Sequence, residues 1–226
     1  MTKKIFYWSP YLGRVATIRS VLNSMIGLSS LHNNKYNISI INCYGEWNKY
    51  ISSLKSNKIK IINIKKKIQF NIDIYGFVIS RFIYLITLFL SYGKLKDLLI
   101  KKKPDYLVVH LLTFIPFFLF FNNTFKTKLI LRISGKPKLF FFRKMLWKIL
   151  NKRIHLIFCP TKETKDYLLK KNIFDIKKIK FLPDPVLYDA NIKNLKKNKI
   201  KKSLKKNSYF LSVGRLTKQK NHELLI

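Results

Sequence analysis

Near its carboxyl end the sequence runs from a short apolar stretch, Tyr209 to Val213, into Gly214-Arg215-Leu216, then Lys220-Asn221 and Glu223-Leu-Leu-Ile226. A glycine lets backbone approach a ligand closely, and two cations beside a helix start complete a cradle for a phosphate-like anion. The segment reads as strand, basic loop and helix start. One strand and part of a helix cannot bury a core, so this stretch reads as the opening of a second domain.

Three other places could carry chemistry. Ser9-Pro-Tyr-Leu-Gly13-Arg14 follows the first apolar run, and Gly13 there would allow close backbone approach. It lacks the G-x-G-x-x-G spacing of a dinucleotide loop, and a lone glycine in a turn is often only a turn. His110 ends the run Tyr106-Leu-Val-Val and reads either as a packed strand-end histidine or as a functional group. Arg132-Ile-Ser134-Gly135-Lys136 makes a small polar turn with cations. All three follow strand-like runs, and parallel α/β sheets bind ligands at the carboxyl ends of their strands.

The 10 acidic residues include no Asp-x-Asp pair, so no hard divalent metal held by carboxylates is expected. No cofactor is expected either. His32, His155 and His222 sit in surface or helix-opening contexts and take structural roles. Cys43 and Cys159 close strand-like runs without metal-ligand spacing, which suits buried free thiols in a reducing compartment.

The elements that must position these groups alternate. Strands are expected at Lys4–Tyr7, Asn37–Asn42, Lys58–Ile62, Tyr106–His110, Lys128–Ile133, His155–Cys159 and Lys178–Leu182. Helices are expected at Ile18–Leu31 and Leu139–Leu150, and Thr161 with Glu163 gives a helix N-cap before Tyr167-Leu-Leu169. Continuous apolar strands between helices point to a doubly wound parallel α/β sheet buried on both faces. Residues 1–187 form that domain, the Lys/Asn-rich stretch 188–207 is a linker or exposed helix, and 208–226 opens the next domain.

The 226 residues carry 46 basic against 10 acidic side chains, a net charge of +36 that attracts phosphates of nucleotides, nucleic acid or anionic lipid. An excess spread this evenly through Lys- and Asn-rich segments is equally the mark of A+T-rich codon usage. The basic opening breaks at Ser9-Pro10 before a signal-peptide core could form, so a cytoplasmic place is expected. Ile74–Tyr92 and Tyr106–Phe121 approach membrane-span length, but Arg81 interrupts the first, and His110 and Pro116 the second.

Taken together, these residues resemble the GT-B nucleotide-sugar glycosyltransferases, specifically the large retaining group (group 1, family 4) that builds bacterial polysaccharides and glycolipids. Val213-Gly-Arg215-Leu216 with Lys220-Asn221 is similar to the loop opening that family's donor domain, and Asp105 to His110 resembles the strand whose terminal histidine lies beside the donor sugar. Leu131 to Pro137, and Cys159-Pro-Thr161 through Leu182-Pro-Asp-Pro185, look like the O-antigen and capsule assembly subgroup. Departures are Gly13 without a paired glycine, Ser134-Gly135 for the usual His-Gly, and Asp184-Pro185 for Asn-Gly.

The resemblance implies a hexosyl transfer in which Arg215, Lys220 and Gly214 hold the donor diphosphate and His110 lines the reacting sugar. Gly13, Arg14, Ser134 and Gly135 are then acceptor and donor loop residues. Expected partners are a nucleotide-sugar donor, a lipid-linked saccharide acceptor of lipopolysaccharide or capsule synthesis and, at the inner face of the cell membrane, an anionic bilayer approached by the Leu139–Lys148 helix. The family's paired glutamates would fall beyond Ile226, so a truncated donor domain with little turnover is expected. The rival readings are a basic nucleic-acid-binding protein and a non-catalytic peripheral membrane protein. The aromatic residues cluster in apolar runs instead of alternating with cations, which argues against nucleic acid.

Overall fold

The computed structural model describes residues 2–11, 16–31, 35–64, 77–186, 212 and 221–225. The chain divides into two compact units, Met1–Tyr188 and Asp189–Ile226. In the second unit the described residues form a 3-10 turn at His222–Leu225, where the Ser212 hydroxyl lies 3.2 Å from His222 Nδ1. The expected strand at Tyr209 to Val213, apart from Ser212, and the expected linker 188–207 lie outside the described residues.

The first unit is a seven-stranded, wholly parallel sheet. Its strands are β1 (Lys3–Trp8), β2 (Tyr36–Asn42), β3 (Lys60–Asn63), β4 (Tyr106–Val109), β5 (Lys128–Arg132), β6 (Ile154–Cys159) and β7 (Ile179–Phe181). The spatial order is β3-β2-β1-β4-β5-β6-β7. Helices α1 (Thr17–Leu31), α2 (Ile51–Ser56), α3 (Phe77–Lys102), α4 (Phe114–Asn122), α5 (Phe141–Leu150) and α6 (Lys162–Lys171) connect the strands. Each expected strand is present with its ends shifted by a residue or two; His110 falls just past β4 instead of inside it.

Two apolar clusters, one on each face of the sheet, hold the domain together. Ile5, Tyr7, Ile38 and Ile40 meet Val21 and Met25 of α1 and Leu54 of α2 on one face. Phe6, Trp8, Leu107, Leu131 and Ile157 meet α3 to α6 on the other, through Leu95, Phe117, Trp147 and Leu168. Fully burying each such side chain stabilises the fold by about 1.5–3 kcal/mol.

One expectation needs correction. The β4 run was expected to be buried on both faces, yet Tyr106 and Val108 are only half-buried while Leu107 and Val109 are buried. Among the described residues, α1 and α2 are the helices of the Ile5–Tyr7 face, and they cover β1 and β2 rather than β4 to β6. An apolar strand therefore keeps the alternation of a one-sided sheet.

Tyr106–Phe121 splits between β4 and α4, and no helix among the described residues is long and apolar enough to cross a membrane. Both cysteines are free and buried. Burial pushes the Cys159 thiol up to about 11 and holds that of Cys43 well above the usual range.

Thr161 caps α6 as its position suggests: its side chain accepts a hydrogen bond from the Thr164 N–H at 3.1 Å. At the other end Asn172 adopts the left-handed conformation that closes helices. Thr161→Ala should lower stability by about 1 kcal/mol, and Thr161→Ser by much less, in urea denaturation.

Candidate functional site

The strand order reverses at β1 and β4, so their carboxyl ends flank the crevice where such sheets bind ligands. Trp8 pairs with Val109, which makes Ser9 and His110 the next residues along the two strands. The His110 N–H donates to the Trp8 carbonyl at 3.0 Å, extending the ladder by one rung. Beyond it the chain turns through Leu112 at φ 47°, a left-handed conformation that costs a leucine about 1–2 kcal/mol. The Trp8 indole N–H donates to the Leu112 carbonyl at 3.1 Å and fixes that turn.

His110 is 4% exposed, and its ring stacks on Tyr7 at 6.0 Å between centroids. Neither ring nitrogen meets a hydrogen-bond partner among the described residues, and neither does the buried Ser9 hydroxyl. Buried polar atoms are nearly always paired, so three unpaired ones at a strand switch point are what a ligand site presents. Burial, and next the Arg132 guanidinium, lower the His110 pKa from 6.5 to about 3. The imidazole is neutral at physiological pH, with one nitrogen to donate and one to accept.

Arg132 ends β5 and is 5% exposed. Its guanidinium donates to Asp184 Oδ1, with Nε at 2.8 Å, and to the Leu182 carbonyl at 3.2 Å. The segment after β7 is thereby tied to the strand end. Asn23 of α1 donates to the Pro185 and Val186 carbonyls at 2.8 and 3.1 Å and holds the same segment from the other side. Tyr7, His110, Arg132, Phe158 and Leu182 line a groove of about 400 Å³ over the half-covered face of β4 to β6.

The β2 end forms a second anchored loop. Gly45 takes φ 98°, and the Glu46 carboxylate folds back to accept from the Cys43 and Tyr44 N–H groups at 3.0 and 2.9 Å. Burial raises the Glu46 pKa from 4.5 to about 7 against those bonds. The Tyr11 hydroxyl donates to the Glu46 carbonyl and the Tyr44 hydroxyl to the Tyr11 carbonyl. This network fixes Tyr11, the last described residue before the Gly13 loop.

Of the sequence candidates, His110 lies at the crevice. Ser134 and Gly135 follow β5 and are exposed, and Lys136 beside them pairs with Glu163. Gly13, Arg14, Gly214, Arg215 and Lys220 lie outside the described residues. Within the Arg132–Lys136 turn, the buried group is Arg132, which sequence reading treated only as part of a cationic turn. Its signal was its place at the end of an apolar strand, where a solvated cation is not expected. Among the described residues no three His, Cys, Asp or Glu side chains cluster to hold a metal.

No family profile and no curated protein matches the sequence. Solved structures do match the fold. A glycosyltransferase from Rickettsia africae superposes with a TM-score of 0.57 at 13% identity, over 87% of this chain and 49% of its own. The S. aureus MnaA structure with UDP gives 0.54 at 15%, over 90% and 50%. A UDP-GlcNAc 2-epimerase from Neisseria meningitidis bound to UDP-GlcNAc gives 0.53 at 17%, over 88% and 51%. The domain is thus Rossmann-like α/β of the GT-B kind, and the chain spans about half the length of these structures.

Two measurements follow from this geometry. With a folded pKa near 3 against an ordinary 6.5, His110 contributes stability that is complete above pH 6.5 and shrinks as pH falls toward 3, at about 1.4 kcal/mol per unit. Glu46, raised to about 7 from 4.5, contributes stability that shrinks as pH rises between those values. The two oppose one another from pH 4.5 to 6.5, so His110→Asn should make stability fall with rising pH across that window in urea titrations. Separately, Asp184→Ala leaves the Arg132 guanidinium buried without the Asp184 counter-charge and should cost about 3–5 kcal/mol. Adding Arg132→Met should recover much of that loss.

Proposed function

We propose that this chain carries the acceptor-side domain of a glycosyltransferase that moves a sugar from a nucleotide-sugar donor to a bacterial surface polysaccharide or glycolipid. The observation that carries the reading is His110, a buried neutral imidazole at the β1/β4 crevice whose two nitrogens have no partner among the described residues. A sugar presents hydroxyls that donate and accept at once, and a neutral imidazole answers both. The likeness in fold to a glycosyltransferase and to UDP-bound proteins supports the same reading.

In this proposal the breaking bond places negative charge on the leaving diphosphate, and Arg215 and Lys220 stabilise it, with Gly214 giving close approach. The sugar develops positive charge as it departs. His110 holds a donor-sugar hydroxyl and lines the reacting face; kept neutral by burial, it adds no repelling charge there. The Gly13-Arg14 and Ser134-Gly135 loops meet donor and acceptor, the acceptor being a lipid-linked saccharide of O-antigen or capsule assembly.

Titration of the histidine-labelled chain with a panel of nucleotide sugars tests this by NMR. The His110 ring signals should shift with a nucleotide sugar and not with the bare nucleoside diphosphate. Arg215→Ala and Lys220→Ala should each weaken diphosphate binding by roughly tenfold or more in calorimetry. An unmoved His110 signal across the panel at millimolar sugar nucleotide, or salt-sensitive RNA binding that is far tighter, would overturn the proposal.

A further inference from the structure

The half of the sheet that α1 and α2 do not cover has a chemistry of its own. Wholly parallel sheets are ordinarily covered on both faces. Over β4 to β6, however, the face that bears α1 and α2 elsewhere carries, among the described residues, only the groove of about 400 Å³. Strand pairing lays that face out in rows. Tyr7, Val108, Ile130 and Leu156 stand side by side across four strands, and the last three are half-buried. Ile5, Tyr106 and Lys128 make the row toward the amino ends, and Arg132, Phe158 and Lys180 the row toward the carboxyl ends.

Cations frame this apolar strip. The Lys3 and Lys128 ammonium groups lie 5.8 and 5.9 Å from the centroid of the Tyr106 ring, and the His155 ring lies 6.3 Å from it. Lys128 and Lys180 are exposed in the two outer rows. No carboxylate is among the residues lining the groove. Asp184, which meets Arg132 there, is already paired, and the Asp105 carboxylate accepts from the Lys4 N–H at 2.7 Å.

We infer that this face docks an acidic amphipathic helix of a partner polypeptide. β4 to β6 span two inter-strand spacings, about 10 Å, which is the width of one helix. A helix laid there buries its apolar stripe on the middle row, and its flanking carboxylates meet Lys3 and Lys128 on one side and Lys180 on the other. Charge says where the helix comes from. After Asp184 this sequence holds only Asp189 and Glu223 as acids, so it has no acidic helix to offer, and a second copy brings the same +36. An added strand would need a sheet edge instead of a face. Nucleic acid would need an open ring to stack on, and two lysines already lie over Tyr106. The inference is independent of the sugar-nucleotide reading, and its test uses no nucleotide.

The probe is a fluorescein-labelled designed peptide of about five helical turns, with leucines at i, i+3, i+4 and i+7 and glutamates on both flanks. Its control carries lysines in place of the glutamates. In fluorescence anisotropy at about 0.1 M salt the glutamate peptide should bind the whole chain at least tenfold more tightly than the control, and should weaken as salt rises. Lys128→Glu/Lys180→Glu should cut that binding about tenfold or more and raise the affinity for the lysine peptide, an exchange of preference that a misfolded variant cannot give. Val108→Ser/Ile130→Ser should weaken both peptides about tenfold, with thermal unfolding used to separate lost binding from lost fold. Three results overturn the inference: no binding of the glutamate peptide by the parent chain, full binding by Lys128→Glu/Lys180→Glu, or an RNA oligonucleotide that displaces the peptide and is itself bound more tightly.

Discussion

Parallel pairing of β1 with β4 at the centre of the sheet is the constraint on which the rest of the first unit depends. Because the chain builds β1, β2 and β3 outward in one direction and then returns to lay β4 against the free edge of β1, the connections on either side of that pair leave in opposite directions. The crevice between them follows from topology. One tryptophan serves both needs: Trp8 is fully buried in the larger apolar cluster, and its indole and carbonyl hold the turn and the residue that face the crevice. Packing and positioning are coupled there through a single side chain.

Around that crevice the protein buries groups that prefer water and compensates them unequally. Arg132 is paired with Asp184 and a carbonyl, and Glu46 is satisfied by two backbone N–H groups. His110 has no such compensation among the described residues and stays neutral instead. The paired groups fasten loops: Arg132 the segment after β7, and Glu46 the turn after β2. The unpaired one keeps its hydrogen-bonding capacity, with one nitrogen able to donate and one to accept.

The two faces of the sheet have different fates. Helices α3 to α6 pack on one face, and their outer positions carry exposed apolar side chains such as Phe89, Phe118 and Phe141. On the other face α1 and α2 cover β1 and β2, and among the described residues the β4 to β6 half carries a groove. A stretch without carboxylates from Tyr106 to Lys162 runs through both regions.

Much of this was legible in the sequence because it is local. Strand runs, the Thr161 cap, the buried thiols and the strand-end place of His110 all depend on neighbours a few residues away, and periodicity or spacing records them. What the sequence could not decide was long-range. It could not tell that Tyr106 and Val108 would stay half-covered, because that depends on where α1 and α2 end. It could not separate Arg132 from the solvated lysines, because its partner Asp184 is far along the chain and meets it only when β7 is laid beside β6. Nor could it tell that the His110 ring would be buried against Tyr7, since that is a property of the assembled crevice. Sequence fixes which elements form, through short-range sterics and hydrophobic period; tertiary structure alone decides which polar groups end up dry, paired or waiting.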